Sequence, residues 1–393
     1  MNYTKKQLGQ YIDVLSGFAF KSKDFTNVGI PVIKIKNINP PYVSLEDISC
    51  VPISVAYQNP KYILKRGDVL IAMTGSHINQ IASVVGRVGR VRYDDLTVLN
   101  QRVGKIINKN DEYSNLDYIY YFLSQYDVKV ELAQKAGGAA NQANISPSDI
   151  KNLYFPCPPI EIQNKIATIL SRYDSLIENY QKQIKLLEES AQRLYKEWFI
   201  DLHFPGHKNT QIVDGVPEGW EKKRLADIAE LKAGGDKPDI VSDVRTEDCA
   251  IPIFSNGTTN EGLYGFTKVP EIMEHCVTIS ARGSVGYTVL RRTPFVPIVR
   301  LISVIPHNVY VGYIFYYLKS TTLDSNGAAQ QQITIPMIRN KEITIPSKGI
   351  LEIFESQTEP IFNQIDIIKD QIRHLTEARD RLLPKLMSGE IEV

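Results

Sequence analysis

Asn39-Pro40-Pro41-Tyr42 gathers an amide, two proline carbonyls and an aromatic face into four residues. Such a group can accept hydrogen bonds from an exocyclic amino group while the ring stacks on the flipped base that carries it. The preceding Ile30-Pro31-Val32-Ile33-Lys34-Ile35 reads as a β-strand, the setting this chemistry needs. Other segments suit the reading of base edges, which needs short polar or guanidinium side chains on rigidly held loops. "MTGSHINQ" supplies Thr74, Gly75, Ser76, His77, Asn79 and Gln80, and "SARGSVG" supplies Ser280, Arg282, Gly283 and Ser284. A Gly/Gln/Asn-rich turn supplies Lys135, Gly138, Asn141, Gln142 and Asn144, and a second supplies Asn326, Gln330, Gln331 and Gln332. Asn and Gln can bond adenine bidentately, and Arg can bond guanine. Capping or plain solvent exposure is the alternative for any single one of them. Lys34, Lys36, Arg87, Arg90, Arg92, Arg102, Arg291 and Arg292 are assigned to phosphates, where cations position without specifying.

Loops of this kind need a scaffold, and the chain repeats one. "YTKKQLGQYIDVLSG" returns as "WEKKRLADIAELKAG", "IPVI" as "IPIF", "DYIYYFL" as "GYIFYYL", and "GAANQANI" as "GAAQQQI". The offset begins at 217 residues and settles at 188, so the second copy is shorter by about thirty. Order is kept throughout, which marks an internal duplication. Each copy mixes short strands with helices and ends in one long helix. In the first, Ile166, Leu170, Tyr173, Ile177, Tyr180, Ile184, Leu187, Ala191, Leu194 and Trp198 form an a/d heptad seam. It is about 49 Å long at ~1.5 Å per residue. Adding 188 gives Phe354 to Leu386, with Thr358 and Arg379 as the breaks. One such helix alone would expose too much apolar surface, so the two are expected to pair.

Composition excludes several classes. Hydrophobic residues make up 43% and charged residues 23%, which describes a soluble globular chain, and 393 residues suffice for two or three cores. No apolar run approaches the ~18 residues of a membrane span, and no secretory leader is evident. Cys50, Cys157, Cys249 and Cys276 lie far apart, so we expect reduced thiols, a cytoplasmic location and no metal site. Residues 1–36 carry net +4 and residues 61–110 net +6, against net −4 over 350–393. Basic globular segments with an acidic helical one suit a nucleic-acid binder that also docks a protein.

"GAANQANI…DIKNLYFPCPPIEIQNKIATIL", "GAAQQQITIPMIRNKEITIP", "SARGSVGYTVL" and "VPEGWEKKRLADI" resemble the specificity subunit of type I restriction–modification systems over essentially the whole chain. The resemblance implies an α+β fold: two pseudo-twofold-related α/β target-recognition domains separated by two long antiparallel helices in an intramolecular coiled coil. Recognition domains are expected at 1–158 and 220–348, spacer helices at 159–203 and 349–393, and a linker at 204–219. It also implies that each domain reads one half of a split double-stranded DNA site. The helices would set the spacer and dock two methyltransferase subunits, through which two restriction (translocase/nuclease) subunits join. The chain itself would have no catalytic activity and no cofactor, with AdoMet, ATP and Mg on the partner subunits. Because the two copies differ in length and loop sequence, the target should be asymmetric.

Two other readings compete. Asn39-Pro40-Pro41-Tyr42 resembles the catalytic motif of DNA N6-adenine methyltransferases, and a coiled-coil adaptor binding only proteins is a third possibility. A methyltransferase also needs an AdoMet pocket: a strand, a Gly-rich turn and a helix. "VVGRVGRV" and "SARGSVGYTV" lack the helix, and the aligned "FSNGTTNEG" has no counterpart of the tetrapeptide. His203 and His207 have a zinc-like spacing, but Pro205 and Gly206 exclude the helix that such pairs use. The tetrapeptide therefore reads as a double-proline exit from a strand. Asn39→Ala in a complex reconstituted with methyltransferase subunits should retain methyl transfer. Abolished transfer with intact DNA binding and assembly would revive the enzyme reading.

Overall fold

The computed structural model describes residues 3–75, 84–137, 143–321 and 332–393. In the first copy, β1 (Ile12–Ser16), β2 (Val69–Ala72), β3 (Val88–Arg90) and β4 (Val103–Asn108) form a sheet. Their spatial order is β1-β4-β2-β3, every pairing antiparallel, and Tyr42–Val43 and Ile38–Asn39 extend the β3 edge. The run Val69-Leu70-Ile71-Ala72 is wholly buried. Alternation divides it: Val69 and Ile71 join one core, Leu70 and Ala72 another. The first core is closed by α1 (Leu116–Leu123), which brings Tyr118, Ile119, Tyr121 and Phe122. Asn115 caps α1, its side chain accepting from Tyr118 N at 3.0 Å. The second core includes Ile33, Leu64 and Leu99, from a smaller sheet ordered Ser49–Val51, Ile30–Ile33, Thr97–Leu99, Ile63–Leu64.

The second copy repeats this order. β5 (Ala229–Ala233), β6 (Cys276–Ile279), β7 (Thr288–Arg291) and β8 (Ile302–Pro306) lie in the order β5-β8-β6-β7, again antiparallel. Its helix α3 (Val311–Ser320) contributes Tyr313, Ile314, Phe315 and Tyr316 to the core. The smaller sheet has three strands, Leu263–Thr267, Ile251–Phe254 and Val296–Pro297, where the first copy has four. In both copies the entry strand pairs with the exit strand: Lys5–Gln7 with Tyr154–Pro156, and Glu221–Arg224 with Glu342–Ile345. Gly17 and Gly234 also correspond. A Cβ at Gly17 would run into the Asn100 carbonyl, and one at Gly234 would sit 2.6 Å from Pro297 C, so only glycine lets the segments approach.

The long helices are α2 (Ile160–Tyr195) and α4 (Lys348–Ser388). The chain divides into two compact units, Met1–Asn179 with Gln371–Val393, and Tyr180–Asp370, so each helix contributes to both. In the first unit Ile166 and Leu170 of α2 share the core with Leu383, Leu386 and Met387 of α4. In the second, Ala191, Tyr195 and Trp198 share it with Phe354, Phe362 and Ile365. No seam residue of either helix is exposed. Each fully buried Leu or Ile there contributes about 1.5–3 kcal/mol. Among the described residues no helix is long and apolar enough to cross a membrane, and the four cysteines are free.

Both breaks in the second seam have polar partners. Thr358 is fully buried, its hydroxyl bonding the Phe354 carbonyl at 2.8 Å and meeting the Tyr310 hydroxyl at 3.1 Å. Arg379 Nη1 donates at 2.8 Å to Asp174, a carboxylate only 1% exposed that also accepts from Tyr121 OH at 2.7 Å. Shifted by 188, Asp174 corresponds to Phe362; shifted back, Arg379 corresponds to Ala191. The second unit thus has a buried apolar pair where the first has an ion pair. Asp174→Ala should cost about 3–5 kcal/mol, because it removes the buried carboxylate that Arg379 and Tyr121 share and leaves the half-buried guanidinium only Asp380. Asp174→Phe with Arg379→Ala should recover most of that loss in urea denaturation. A double variant as unstable as Asp174→Ala would show that the charge pairing is not what holds this position.

Candidate nucleic-acid interface

Just beyond β2 the chain meets a segment seventy residues later. Ile145 N donates to Met73 O at 2.9 Å, and Thr74–Gly75 pairs antiparallel with Ala143–Asn144. Gly137 pairs in turn with Asn144 through backbone bonds of 2.9 and 3.1 Å. The two loops singled out in sequence are therefore stitched together. Thr74 is 6% exposed and its Oγ1 donates to Asn144 Oδ1 at 2.8 Å, which leaves the amide nitrogen of Asn144 as a donor. Gly75 has no room for a side chain, since a Cβ would lie 2.6 Å from Val85 N. Arg102 is exposed in the turn before β4, and its carbonyl accepts from Met73 N at 2.9 Å. Lys135 is exposed and pairs with Glu131 at 2.6 Å. Ser76, His77, Asn79, Gln80, Gly138, Asn141 and Gln142 lie outside the described residues.

The second unit builds the same junction. Ile333 N donates to Ala281 O at 3.1 Å, the counterpart of Ile145 to Met73. That register sets Arg282 opposite Thr74 in the repeat, Gly283 opposite Gly75, and Gln332 opposite Asn144. Arg282, Gly283 and Ser284 are exposed between β6 and β7, with Gly283 at φ +69°, while Gln332 is half-buried. Ser280 is buried and closes the turn with its backbone: its N donates to Tyr287 O and its O accepts from Gly286 N, each at 2.9 Å, so it supports the loop. Asn326, Gln330 and Gln331 lie outside the described residues. Arg300, exposed in the turn before β8, was not singled out in sequence. Aligning "VLNQRVG" with "VPIVRLI" would have set it opposite Arg102.

Four of the arginines expected on phosphates are structural instead. Arg90 is 5% exposed, its guanidinium 4.4 Å from the Tyr120 ring centroid and 2.7 Å from Asp117. Arg291 is 4% exposed and donates to Thr278 Oγ1 and Glu261 O at 3.0 and 2.6 Å; burial pulls its pKa down to about 10. Arg92 reaches Glu178 at 3.4 Å, and Arg292 reaches Asp366 and Glu359 at 2.7 and 2.8 Å. Glu178 and Asp366 are 188 residues apart, so both sheets are tied to their long helix by the same device. Guanidiniums neutralised inside the protein are not available to phosphate, and cation counting cannot tell which face of a strand a side chain takes. Arg87 is half-buried, and burial lowers its pKa. Lys34 is half-buried against the Phe25 ring, donating to Ser49 Oγ at 2.9 Å, and Lys36 pairs with Asp47 on the surface.

Asn39-Pro40-Pro41-Tyr42 is a tight hairpin in which Asn39 pairs with Tyr42. Pro41 O already accepts from Arg90 N at 3.0 Å and Tyr120 OH at 3.1 Å. The Tyr42 hydroxyl is buried, which pushes its pKa up to about 12. The carbonyl and the phenol are committed to the fold. His207 Nδ1 lies 2.9 Å from Phe204 O, and no metal-binding cluster occurs among the described residues.

Comparison with known proteins places the chain in a family. The family described as type I restriction modification DNA specificity domain matches twice, over residues 1–189 and 217–377. The type I restriction enzyme MjaIX specificity subunit of Methanocaldococcus jannaschii is 32% identical over 321 residues, 75% of this chain and 73% of that one. The putative type I restriction enzyme MjaX specificity subunit of the same organism is 25% identical over 406 residues, covering 99% and 93%. A crystal structure of the type I restriction–modification S subunit from M. genitalium shares the fold, with a TM-score of 0.57 at 18% identity over 98% and 96% of the two chains. With the family matched over most of its length and in both repeats, the chain belongs to the type I restriction–modification specificity subunits, the non-catalytic, DNA-recognising members of those systems.

Proposed function

We propose that this subunit reads an asymmetric, two-part DNA site, with one recognition domain for each half. One observation carries the reading: the same backbone junction recurs in both units, but Thr74 and Asn144 on one become Arg282 and Gln332 on the other. A shared frame with exchanged side chains is what two different half-sites require. Domains at 1–158 and 220–348 would read, and the helices over 159–203 and 349–393 would pair antiparallel as a coiled coil, joined by a linker at 204–219. Their repeated, unexposed seams support the pairing. Two methyltransferase subunits would dock on the helices and bring restriction subunits with them, supplying AdoMet, ATP and Mg chemistry. Base contacts belong to the exposed loop residues. Arg102, with Arg87, Lys34 and Lys36, takes the phosphate role that the buried arginines cannot.

Arg282→Ala should change one half of the methylated motif and leave the other intact. If Arg282 reads a guanine, discrimination at one position should fall by about 1–3 kcal/mol. Loss spread evenly over both halves would remove Arg282 from base reading.

The helix pair should act as a ruler. A heptad inserted between Tyr180 and Gln181, with another between Ile368 and Lys369, preserves the apolar seam. It lengthens the pair by about 10.5 Å, or roughly three base pairs of ~3.4 Å. Three base pairs also rotate one half-site by roughly 100° about the DNA axis, so activity should fall. Methylome sequencing should show both half-sites unchanged and the unspecified spacer longer. An unaltered spacer would mean that the helices do not set the separation.

A further inference from the structure

We infer that Arg102 and Arg300 are a matched pair of DNA-backbone clamps, one in each recognition domain. The inference rests on the recognition reading above and adds residues to it. The two turns are held by the same bonds. Gly17 N donates to Val103 O at 3.0 Å and Gly234 N to Leu301 O at 2.8 Å; Gln101 N donates to Phe18 O at 2.9 Å and Val299 N to Gly235 O at 2.8 Å. Each turn closes on itself, Val103 N to Asn100 O at 2.9 Å and Leu301 N to Ile298 O at 3.1 Å. The arginine is the third residue of the turn both times.

Both turns are also fastened to the segment proposed to read bases. In the first unit the bond is direct, Met73 N to Arg102 O at 2.9 Å. In the second, the Asn256 amide bridges: its nitrogen donates to Val299 O at 2.6 Å and its oxygen accepts from Ala281 N at 2.7 Å. Arg300 and Gln332 line one concavity of about 410 Å³ together with Ala281. The second turn holds Val299 and Arg300 at φ +54° and +61°, a conformation that a β-branched residue seldom takes, and the extra bond from Arg300 N to Gly234 O at 2.8 Å fixes it.

This pair differs from the four structural arginines. Both side chains belong to exposed residues, and among the described residues neither is in an ion pair, unlike Arg90, Arg92, Arg291 and Arg292. The residue type is kept while its neighbours change from Thr74 and Asn144 to Arg282 and Gln332. Two unlike half-sites have the sugar-phosphate backbone in common. A cation retained in the same place beside exchanged readers fits that common part.

Salt dependence tests this in the complex of the full chain with its modification subunits, using a duplex that carries the methylated motif. Each phosphate contact adds about 0.9 to the slope of log K against log salt. Arg102→Ala and Arg300→Ala should each lower that slope by about 0.9 and the double variant by about 1.8, with the methylated sequence unchanged. Between 50 and 200 mM salt, each single variant should lose affinity about 3.5-fold less steeply than the wild type. Arg102→Lys and Arg300→Lys should restore most of the slope, which a merely structural arginine would not do. An unchanged slope, or a changed base in the methylated motif, would overturn the clamp. A wild-type complex with no salt-dependent DNA binding would sink the recognition reading itself, and the clamp with it.

Discussion

An apolar stripe that runs the length of a helix must be covered, and a sheet a few strands wide covers only part of it. α2 and α4 both carry such stripes, and each unit completes its core with segments from both. Leu170 and Leu386 belong to one core, Tyr195 and Phe354 to the other. The sheets are fixed to this frame by cores that include the tyrosine-rich faces of α1 and α3, and by an arginine reaching a helix carboxylate in each copy. The junctions at Met73 and Ala281 lie just beyond β2 and β6, strands of the sheets so anchored. Their position follows from the burial of the seams.

Duplication explains how one frame can present two chemistries. The bond from Ile145 N to Met73 O recurs as Ile333 N to Ala281 O, and Met73 N and Ala281 N each find an acceptor, Arg102 O in one unit and the Asn256 amide in the other, because a buried backbone group needs a partner. The side chains on that frame have diverged, buried Thr74 and half-buried Asn144 giving way to exposed Arg282 and half-buried Gln332. The same contrast appears beneath the surface. Asp174 and Arg379 form a buried ion pair where the second unit has Phe362 and Ala191. One fold therefore tolerates either solution, provided that both partners change together.

Much of this was legible in the sequence. The two seams and the strand at Ile30 were expected where they occur, since periodicity and apolar runs report burial directly. The junction of the two loops in each unit could not be read, because pairing across roughly fifty to seventy residues leaves no local pattern. Arg90 and Arg291 misled for a related reason. Charge marks them as surface cations, whereas each lies flat against an aromatic ring, Tyr120 or Phe254, inside the fold. Arg300 was available from the repeat and was hidden by the shift in register around it. Asn39-Pro40-Pro41-Tyr42 had the residue types for base chemistry, but its carbonyl and phenol are used up in packing.

The division of the chain bears on how it is made. The second unit is one continuous stretch, Tyr180–Asp370, and has its whole core in hand once Asp370 has been added. The first unit begins with the amino terminus but closes only with Gln371–Val393. Ile166 and Leu170 must wait for Leu383, Leu386 and Met387, roughly two hundred residues later, which a ribosome needs about 10–40 s to add at ~5–20 residues per second. Throughout that interval the first domain is attached to the ribosome with part of its apolar surface uncovered. Residues 371–393 complete the core of the domain that emerged first, so a truncation before Gln371 would damage the first unit.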